Sequence, residues 1–193
     1  MNRLRPLDDA SWPDAIADLR DGFAGALNVY RVMAHHPALL RAWSDLREHV
    51  VRRRALTAMQ SEVVILRCGF RRGSSYEWVH HVVRGFDCGL SLARIRSLRG
   101  APQDMDPDDR LLAGAVDALI DTNALTPGQQ ERLIATLGVA GMMDIIATVG
   151  FYSTLSYILN SFDTPVDAAV NARYAALCVT MPGIALPVPE GDG

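Results

Sequence analysis

Two carboxylates and an imidazole fall close together in the sequence, at a spacing that suits proton transfer. In the stretch SSYEWVHH, residues 74–81, Glu77 precedes His81 by four positions. Side chains four positions apart lie on one face of a helix, so an acid and a base would be neighbours. Ser74 and Glu77 also match the capping box of a helix start, which involves no catalysis. By itself, His81 equally fits a core histidine, so the stretch alone leaves both interpretations open.

Glu62 is a third candidate because it precedes the apolar run VVILRCGF. Its neighbours three and four positions on are Ile65 and Leu66, so a helix would place this carboxylate on an apolar face. A buried carboxylate is costly unless it is paired or protonated. We therefore expect a raised pKa and a role in proton transfer. A tight turn at Gly73 would fold the two helices together and bring Glu62 to His81.

Nearby side chains extend this candidate site. Arg67 is a candidate to hold a substrate carboxylate through two hydrogen bonds. Three further residues are candidate hydrogen-bonding groups for a substrate: Ser74, Tyr76 and Tyr152. His80 is more typical of a surface or subunit contact than of a catalyst. The HExxH spacing of many zinc enzymes does not occur in the sequence, and we predict neither a metal nor a cofactor.

Composition narrows the class of protein. The chain has 193 residues, enough for one domain, and a formal net charge of −3, which argues against nucleic-acid binding. It contains no run of 18 charge-free apolar residues, and its first twenty residues carry four acidic side chains and no apolar segment. We therefore expect no membrane span and no signal peptide. The three cysteines show no CxxC spacing, which is typical of reduced thiols in a cytoplasmic protein.

Helical periodicity dominates and predicts an all-α fold. Helices are expected over about 11–23, 28–36, 37–53, 57–72, 74–88, 91–99, 106–121, 126–138 and 141–162. The segment 141–162 is apolar on more than one face, which predicts burial within and between the subunits of a homo-oligomer. After Pro165 the pattern weakens, and the Pro/Gly-rich tail, about 180–193, is expected to extend over the surface or over a neighbouring subunit.

The segment SEVVILRCGFRRGSSYEWVHHVVRGFDCGLSLARIRSL resembles the core of the carboxymuconolactone decarboxylase family, which includes the alkyl hydroperoxidase D-like proteins. The peroxidase branch has a glutamate, a CxxC pair twelve and fifteen residues later, and a histidine at nineteen. Here Glu62 and His81 keep that frame, and the cysteine positions hold Ser74 and Glu77. The resemblance covers about residues 25–165. It implies an alkyl hydroperoxidase D-like helical fold, a homo-oligomer and a small-molecule substrate.

Disulfide-linked peroxide reduction needs a thiolate pair, and Ser74 and Glu77 cannot supply one, so we do not expect this activity. The YEWxxxH form instead resembles the decarboxylase-like branch, which uses no organic cofactor. The resemblance implies a lyase-like acid–base enzyme acting on a small carboxylated lactone or related cyclic metabolite, with isomerisation or dehydration as open alternatives. His81 would move the proton, Glu62 would orient it, and Glu77 would meet substrate near the pocket mouth. A non-catalytic protein that binds a ligand or partner on the same scaffold is the other hypothesis.

Overall fold

The computed structural model describes residues 4–185, and within that range the chain forms helices and no strand, which confirms the all-α prediction. The α-helices are α1 (Ala17–Leu19), α2 (Asn28–Met33), α3 (Pro37–Glu48), α4 (Ala58–Arg71), α5 (Ser75–Asp87), α6 (Leu92–Ser97), α7 (Pro107–Thr122), α8 (Pro127–Phe162) and α9 (Ala168–Thr180). Short 3₁₀ or π turns occupy Asp14–Ile16, Arg20–Ala24, His49–Arg53 and Pro102–Asp104.

Several helices begin at the residues that their capping signals indicate. The Thr57 hydroxyl accepts from the Gln60 amide at 3.3 Å, and the Gln60 side chain accepts from the Thr57 amide at 3.0 Å. This capping box starts α4. Thr126 and Gln129 form the same arrangement at the start of α8, and Asp106 caps α7. Each cap satisfies amides that the first helical turn leaves without a partner.

The predicted helix from Ser11 to Phe23 is confirmed only in part, as short helical turns over residues 14–24. The Ser11 amide donates to the Asp8 carboxylate at 2.8 Å, and the first helical residue is Asp14. From there the chain forms three short helical turns, and the backbone is non-helical at Ile16, with φ −133° and ψ 27°, and at Gly22, with φ −93° and ψ −125°. The apolar periodicity of this segment reflects burial of single turns and not one continuous helix.

The chain after Pro165 forms a helix, α9, that its weak pattern did not predict. None of the residues of α9 is fully buried, so its sequence carries little apolar periodicity. The predicted surface tail also begins differently, since Ile184 is fully buried and its carbonyl accepts from the Trp78 indole N–H at 3.0 Å. The rest of the predicted tail, residues 186–193, lies outside the described residues.

The turn between α4 and α5 depends on two glycines. Gly73 has φ 60°, a left-handed conformation that glycine adopts without steric cost. Gly69 lies where α5 crosses closely, and a Cβ added there would sit 3.2 Å from the Glu77 Cβ. The pair of helices is further joined by the Ser74 amide, which donates to the Gly69 carbonyl at 2.9 Å. The predicted tight turn therefore forms and holds α5 against α4.

Helix α4 is the centre of the core, with α5, α7 and α8 packed against it. Nine consecutive residues, 61–69, are buried on this helix. Leu66 from α4 and Trp78 from α5 have no exposed surface. Any polar group in this part of α4 must find its partner inside the protein, because water cannot reach it.

Helix α8 is the longest and most apolar helix of the described chain. Gly138, with φ 72° and ψ 173°, interrupts it and separates the two helices predicted from the sequence. One 18-residue window has a mean hydropathy of 1.8 and is 33% buried, so by length and composition alone α8 could cross a membrane. A core helix of a water-soluble protein meets the same criterion.

A stripe of apolar side chains on α8 faces outward. Its members are Val139, Met143, Ile146 and Tyr157, which are between 38% and 59% exposed. Their spacing of four, three and eleven positions keeps them on one side of the helix. We call this stripe the α8 apolar face, and we propose that it contributes to a homo-oligomer, since monomers rarely expose contiguous apolar surface.

A charge on the α8 apolar face should weaken subunit association. We expect wild-type protein to sediment as an oligomer at micromolar concentration and Val139→Glu to shift it towards smaller species, because the carboxylate would be desolvated at the contact. Val179→Glu is the matched control, since Val179 is 83% exposed near the end of α9. A wild-type monomer, or equal behaviour of the two variants, would contradict this expectation.

Candidate active site

The structure brings Glu62, Glu77 and His81 together in the interior. His81 Nδ1 lies 2.6 Å from Glu62 Oε2, and His81 Nε2 lies 3.4 Å from Glu77 Oε2. The three residues are 3–5% exposed. One imidazole thus connects two carboxylates from consecutive helices, through a short hydrogen bond to Glu62 and a longer contact to Glu77.

The Glu77 side chain does not take part in capping. Ser74 Oγ accepts from the Glu77 amide at 3.4 Å and caps α5, but no reciprocal bond from the Glu77 carboxylate forms. The Ser74 amide, which that carboxylate would accept from in a capping box, donates to Gly69 instead. Only half of the predicted box exists, and the carboxylate is free to point towards His81.

The pKa of Glu62 is lowered, contrary to the expected raised value. Burial by itself raises the pKa of this carboxyl, but the charge and hydrogen bond of His81, together with the charges of Arg84 and Arg54, outweigh burial. For His81, burial lowers the pKa, while the Glu62 charge and the hydrogen bonds to Glu62 and Glu77 raise it on balance. The pair therefore favours carboxylate and imidazolium and titrates as a coupled unit.

Glu62 is also linked to the surface. Its Oε1 lies 3.5 Å from Arg84 Nε, and the Arg84 side chain is 46% exposed. Both residues line an open groove of about 340 Å³ together with Arg54, Ala58, Asp87 and Cys88. The polar series Glu77, His81, Glu62 and Arg84 therefore runs from the interior to a partly exposed guanidinium, which balances the charge of Glu62.

On its other side, His81 lines, together with Glu77, a small and partly open cavity of about 30 Å³. Its walls are Leu27, Val29, Tyr30, Arg47, Val51, Tyr76, Glu77, His80, His81, Arg84, Tyr152 and Leu155. The expected apolar pocket is thus a mixed one with room for one or two water molecules. Glu77 is as buried as Glu62, so its expected position near a solvated mouth is wrong.

Two tyrosines border the imidazole side of the cavity. Tyr152 packs edge-on against His81, with ring centroids 5.0 Å apart. Burial raises the pKa of Tyr152 well above its ordinary value, and Glu77 and Glu62 raise it further. Burial likewise raises the pKa of Tyr30 to about 12. Both phenols stay protonated at neutral pH and are available as hydrogen-bond donors.

Tyr76 lines the cavity, but its hydroxyl is already engaged. It donates to Asp167, and its ring stacks on His80 with centroids 4.3 Å apart. Burial raises the pKa of Tyr76, and the hydrogen bond to Asp167 adds to the shift. His80 Nε2 lies 3.0 Å from Asp167 Oδ2, and His80 is 6% exposed. The expectation of a surface role for His80 is therefore wrong, and Tyr76 is a structural neighbour of the site.

Arg67 does not reach the site. Its guanidinium bonds the Asp117 carboxylate at 2.8 and 2.6 Å and the Leu98 and Gly100 carbonyls at 2.8 Å. These contacts satisfy a buried cation within the core. Ser74, fully buried, serves as a helix cap and does not line the cavity. The prediction that Arg67 and Ser74 bind substrate is therefore wrong, since neither side chain lines the cavity.

Arg47 is the cavity residue that sequence reasoning missed. It stands in α3 among charged residues of an amphipathic helix, and nothing in that pattern distinguishes it from a solvent-facing arginine. Its side chain is nevertheless only 11% exposed.

Among residues 4–185, no group of three His, Cys, Asp or Glu side chains is arranged to hold a metal ion.

Comparison with known proteins identifies the fold. No protein-family model and no curated protein sequence matches the chain. Among solved structures, it is similar to an alkylhydroperoxidase D core, a peroxidase-related protein from Ralstonia eutropha, with a TM-score of 0.72 and 15% identity over 88% of this chain and 96% of that one. A peroxidase-related protein from Silicibacter sp. TM1040 gives 0.72 and 14% over 90% and 97%.

A third similar structure is a cysteine-to-alanine variant of the debrominase Bmp8 in complex with 2,3,4-tribromopyrrole. Its TM-score is 0.68 at 13% identity, covering 92% of this chain and 98% of that chain. At such low identities the likeness concerns the fold. The chain has the alkyl hydroperoxidase D-like helical fold, as the sequence resemblance predicted.

The Glu62–His81 pair should make stability depend on pH in a defined window. The pKa of Glu62 is lower in the folded protein than its ordinary value of 4.5, so this group stabilises the fold at pH values above 4.5. The contribution is lost as the pH falls through the lower pKa of the folded state. The pKa of His81 is higher in the folded protein than its ordinary value of 6.5, so this group stabilises the fold at pH values below 6.5. The contribution is lost as the pH rises through the higher pKa of the folded state. Glu62→Gln should therefore lower the free energy of unfolding most between pH 4.5 and pH 6.5, where both contributions are fully present.

Urea unfolding of wild type and Glu62→Gln, followed by circular dichroism across this range, measures the effect. Glu131→Gln is the control, since Glu131 is exposed, and its small effect should not change with pH. A Glu62→Gln destabilisation that is constant from acid to alkaline pH would show that the charge pair does not form.

Proposed function

We propose that the protein is a cofactor-independent acid–base enzyme, lyase-like, that acts on a small carboxylated lactone or a related cyclic metabolite. The observation that carries the proposal is the buried imidazole of His81, bonded to Glu62 at Nδ1 while Nε2 faces Glu77 and the cavity. The alkyl hydroperoxidase D-like scaffold, which a debrominase also uses to bind a small ring, supports a small cyclic substrate.

The two nitrogens of His81 have different roles. The bond to Glu62 holds a proton on Nδ1 and fixes the ring, so Nε2 is the atom that exchanges protons. The raised pKa of His81 favours the imidazolium, whose Nε2 proton can be donated to substrate. Glu62 is the positioning residue, and Glu77 accepts or relays a proton beside the reacting atoms.

A decarboxylation follows from these roles. The bond between the substrate carbon and its carboxylate breaks, CO₂ leaves, and the electron pair becomes an enolate that hydrogen-bond donors at the cavity wall stabilise. His81 then transfers its Nε2 proton to that carbon, and Nε2 recovers a proton on the cavity side, from Glu77 or from a water molecule. The same groups would support isomerisation or dehydration, in which a proton is removed and one is returned.

Thiol-dependent peroxide reduction is disfavoured by the chemistry of the cysteines. All three are free, and Cys68 is buried. Burial raises the pKa of the Cys68 thiol to about 11, the opposite of what a nucleophilic thiol requires. Burial also raises the pKa of Cys88. Free thiols are typical of cytoplasmic proteins, and we propose that location.

A non-catalytic ligand-binding protein on this scaffold is the second candidate. The small cavity favours it, since a substrate larger than one or two waters requires the walls to move. A screen of carboxylated lactones and β-keto acids for CO₂ release and for proton exchange separates the two. Turnover supports the enzyme, whereas binding without any chemical change supports the alternative.

Loss of the imidazole should remove turnover. On the substrate that the screen identifies, His81→Ala should lower kcat by roughly 10²–10⁴-fold, the usual contribution of a general acid or base. Glu62→Gln should act similarly because it removes the charge that supports imidazolium, and Glu77→Gln should also reduce turnover. His49→Ala is the control, since His49 lies 2.7 Å from Asp144 in another histidine–carboxylate pair. Full activity of His81→Ala and Glu77→Gln would place the site elsewhere.

Peroxide reduction should be negligible and independent of thiols. We expect an assay with an alkyl hydroperoxide and a dithiol to show the same background rate for wild type and for a variant with Cys68, Cys88 and Cys178 all changed to Ser. We expect this result because the residues that line the cavity beside His81 include no cysteine. Rapid dithiol-dependent turnover that the triple substitution abolishes would overturn this prediction.

A further inference from the structure

Arg47 is an almost buried cation that lines this small cavity. Its side chain is 11% exposed, and its guanidinium lies over the Phe23 ring at 4.2 Å and near the Tyr30 ring at 5.9 Å. Its buried Nε has no hydrogen-bond partner. The stem is therefore packed in place, while part of the fork of donors remains available.

No strong counter-ion neutralises this arginine. Within the described range, the only carboxylate within 4.0 Å of its guanidinium is that of Glu48, at the 4.0 Å limit. Glu48 also lies 3.9 Å from Arg52 and 3.7 Å from Arg53, so three arginines share one carboxylate. A nearly desolvated guanidinium with so weak a partner is costly and gains stability when an anion binds.

Arg84, the other arginine that lines the cavity, already has a counter-ion. Arg84 has Glu62 as its partner at 3.5 Å, so its charge is matched within the protein. Arg47 is thus the cavity cation with donor capacity for a ligand. Guanidinium groups bind carboxylates through two parallel hydrogen bonds, which fixes orientation as well as charge.

A second polar group of the cavity lining lacks a partner. Glu77 Oε1 is buried and has no hydrogen-bond partner, while Oε2 faces His81 Nε2. Tyr30 lies near both groups: burial raises its pKa most, the charge of Arg47 and a hydrogen bond from Arg47 lower it, and the charge of Glu77 raises it. The cavity lining therefore includes a cation, Arg47, and an acceptor, Glu77, beside the imidazole of His81. A ligand that carries both a carboxylate and an acidic C–H or O–H group matches this polarity.

We propose that Arg47 is a specificity-determining residue that binds a carboxylate of the substrate and directs the reacting carbon towards His81 Nε2. This inference rests on the proposed function of the same site. A carboxylate paired with guanidinium is stabilised as an ion, so the group at Arg47 is retained in the product. A carboxylate lost as CO₂ would be a different one, nearer to His81. The substrate class is therefore a cyclic acid whose anchoring carboxylate takes no part in bond breaking.

Matched neutral and charged probes test the role of Arg47. Isothermal titration would measure binding of 5-oxotetrahydrofuran-2-carboxylate, a carboxylated lactone, and of its uncharged carboxamide to the full chain at neutral pH. We expect wild type to bind the acid about 10–100-fold more tightly than the amide, the usual effect of a charge-assisted contact. Arg47→Met keeps much of the stem that packs on Phe23 and should reduce this preference to less than about threefold.

The controls separate this inference from the proposed function. Arg53→Met removes another arginine near Glu48, one whose side chain is 74% exposed, and should keep the preference for the acid. Arg47→Gln provides a second replacement if Arg47→Met loses its helical circular dichroism. His81→Ala should abolish turnover and still prefer the acid, so loss of chemistry and loss of anchoring are measured independently. Equal or undetectable binding of both probes to wild type, or an unchanged preference in the Arg47 variants, would overturn the proposal.

Discussion

The buried hydrogen bond between Glu62 and His81 is the interaction on which the site depends. Breaking a buried charged pair by removing one partner typically costs about 3–5 kcal/mol, so neither side chain is tolerable there alone. The pair requires α4 and α5 to lie at a fixed separation. Gly69 permits the close approach, and Gly73 permits the turn that reverses the chain. The geometry of one hydrogen bond thus constrains the central hairpin of the fold.

Charge is distributed unevenly on the two sides of this bond. Towards the surface, Arg84 balances Glu62 and connects it with solvent. Towards the interior, Glu77 has an unpartnered oxygen and Arg47 an unpartnered nitrogen. The polar groups that hold the imidazole are thus satisfied, whereas two residues that line the cavity, Glu77 and Arg47, each keep an unpartnered atom. Such an asymmetry is expected of a site whose remaining partners belong to a ligand.

Sequence pattern predicted the features that depend on local spacing. The α4–α5 hairpin, the contact of Glu62 with His81, and the interruption at Gly138 follow from caps, glycines and periodicity. The errors about Arg67 and Arg47 concern contacts between segments far apart in the chain. Arg67 pairs with Asp117, fifty residues on, and Arg47 faces residues of α5 and α8, which no helical pattern could indicate.

The residues at positions 74 and 77 decide which chemistry the scaffold can support. In the peroxidase branch of the similar family these positions hold cysteines, whereas here Ser74 caps α5 and Glu77 turns its carboxylate to the imidazole. A serine committed to a cap and an acid without redox chemistry cannot exchange electrons with a substrate. A carboxylate beside an imidazole can exchange protons with one. The frame that retains Glu62 and His81 while replacing both thiols therefore supports proton transfer and excludes a dithiol cycle at these positions.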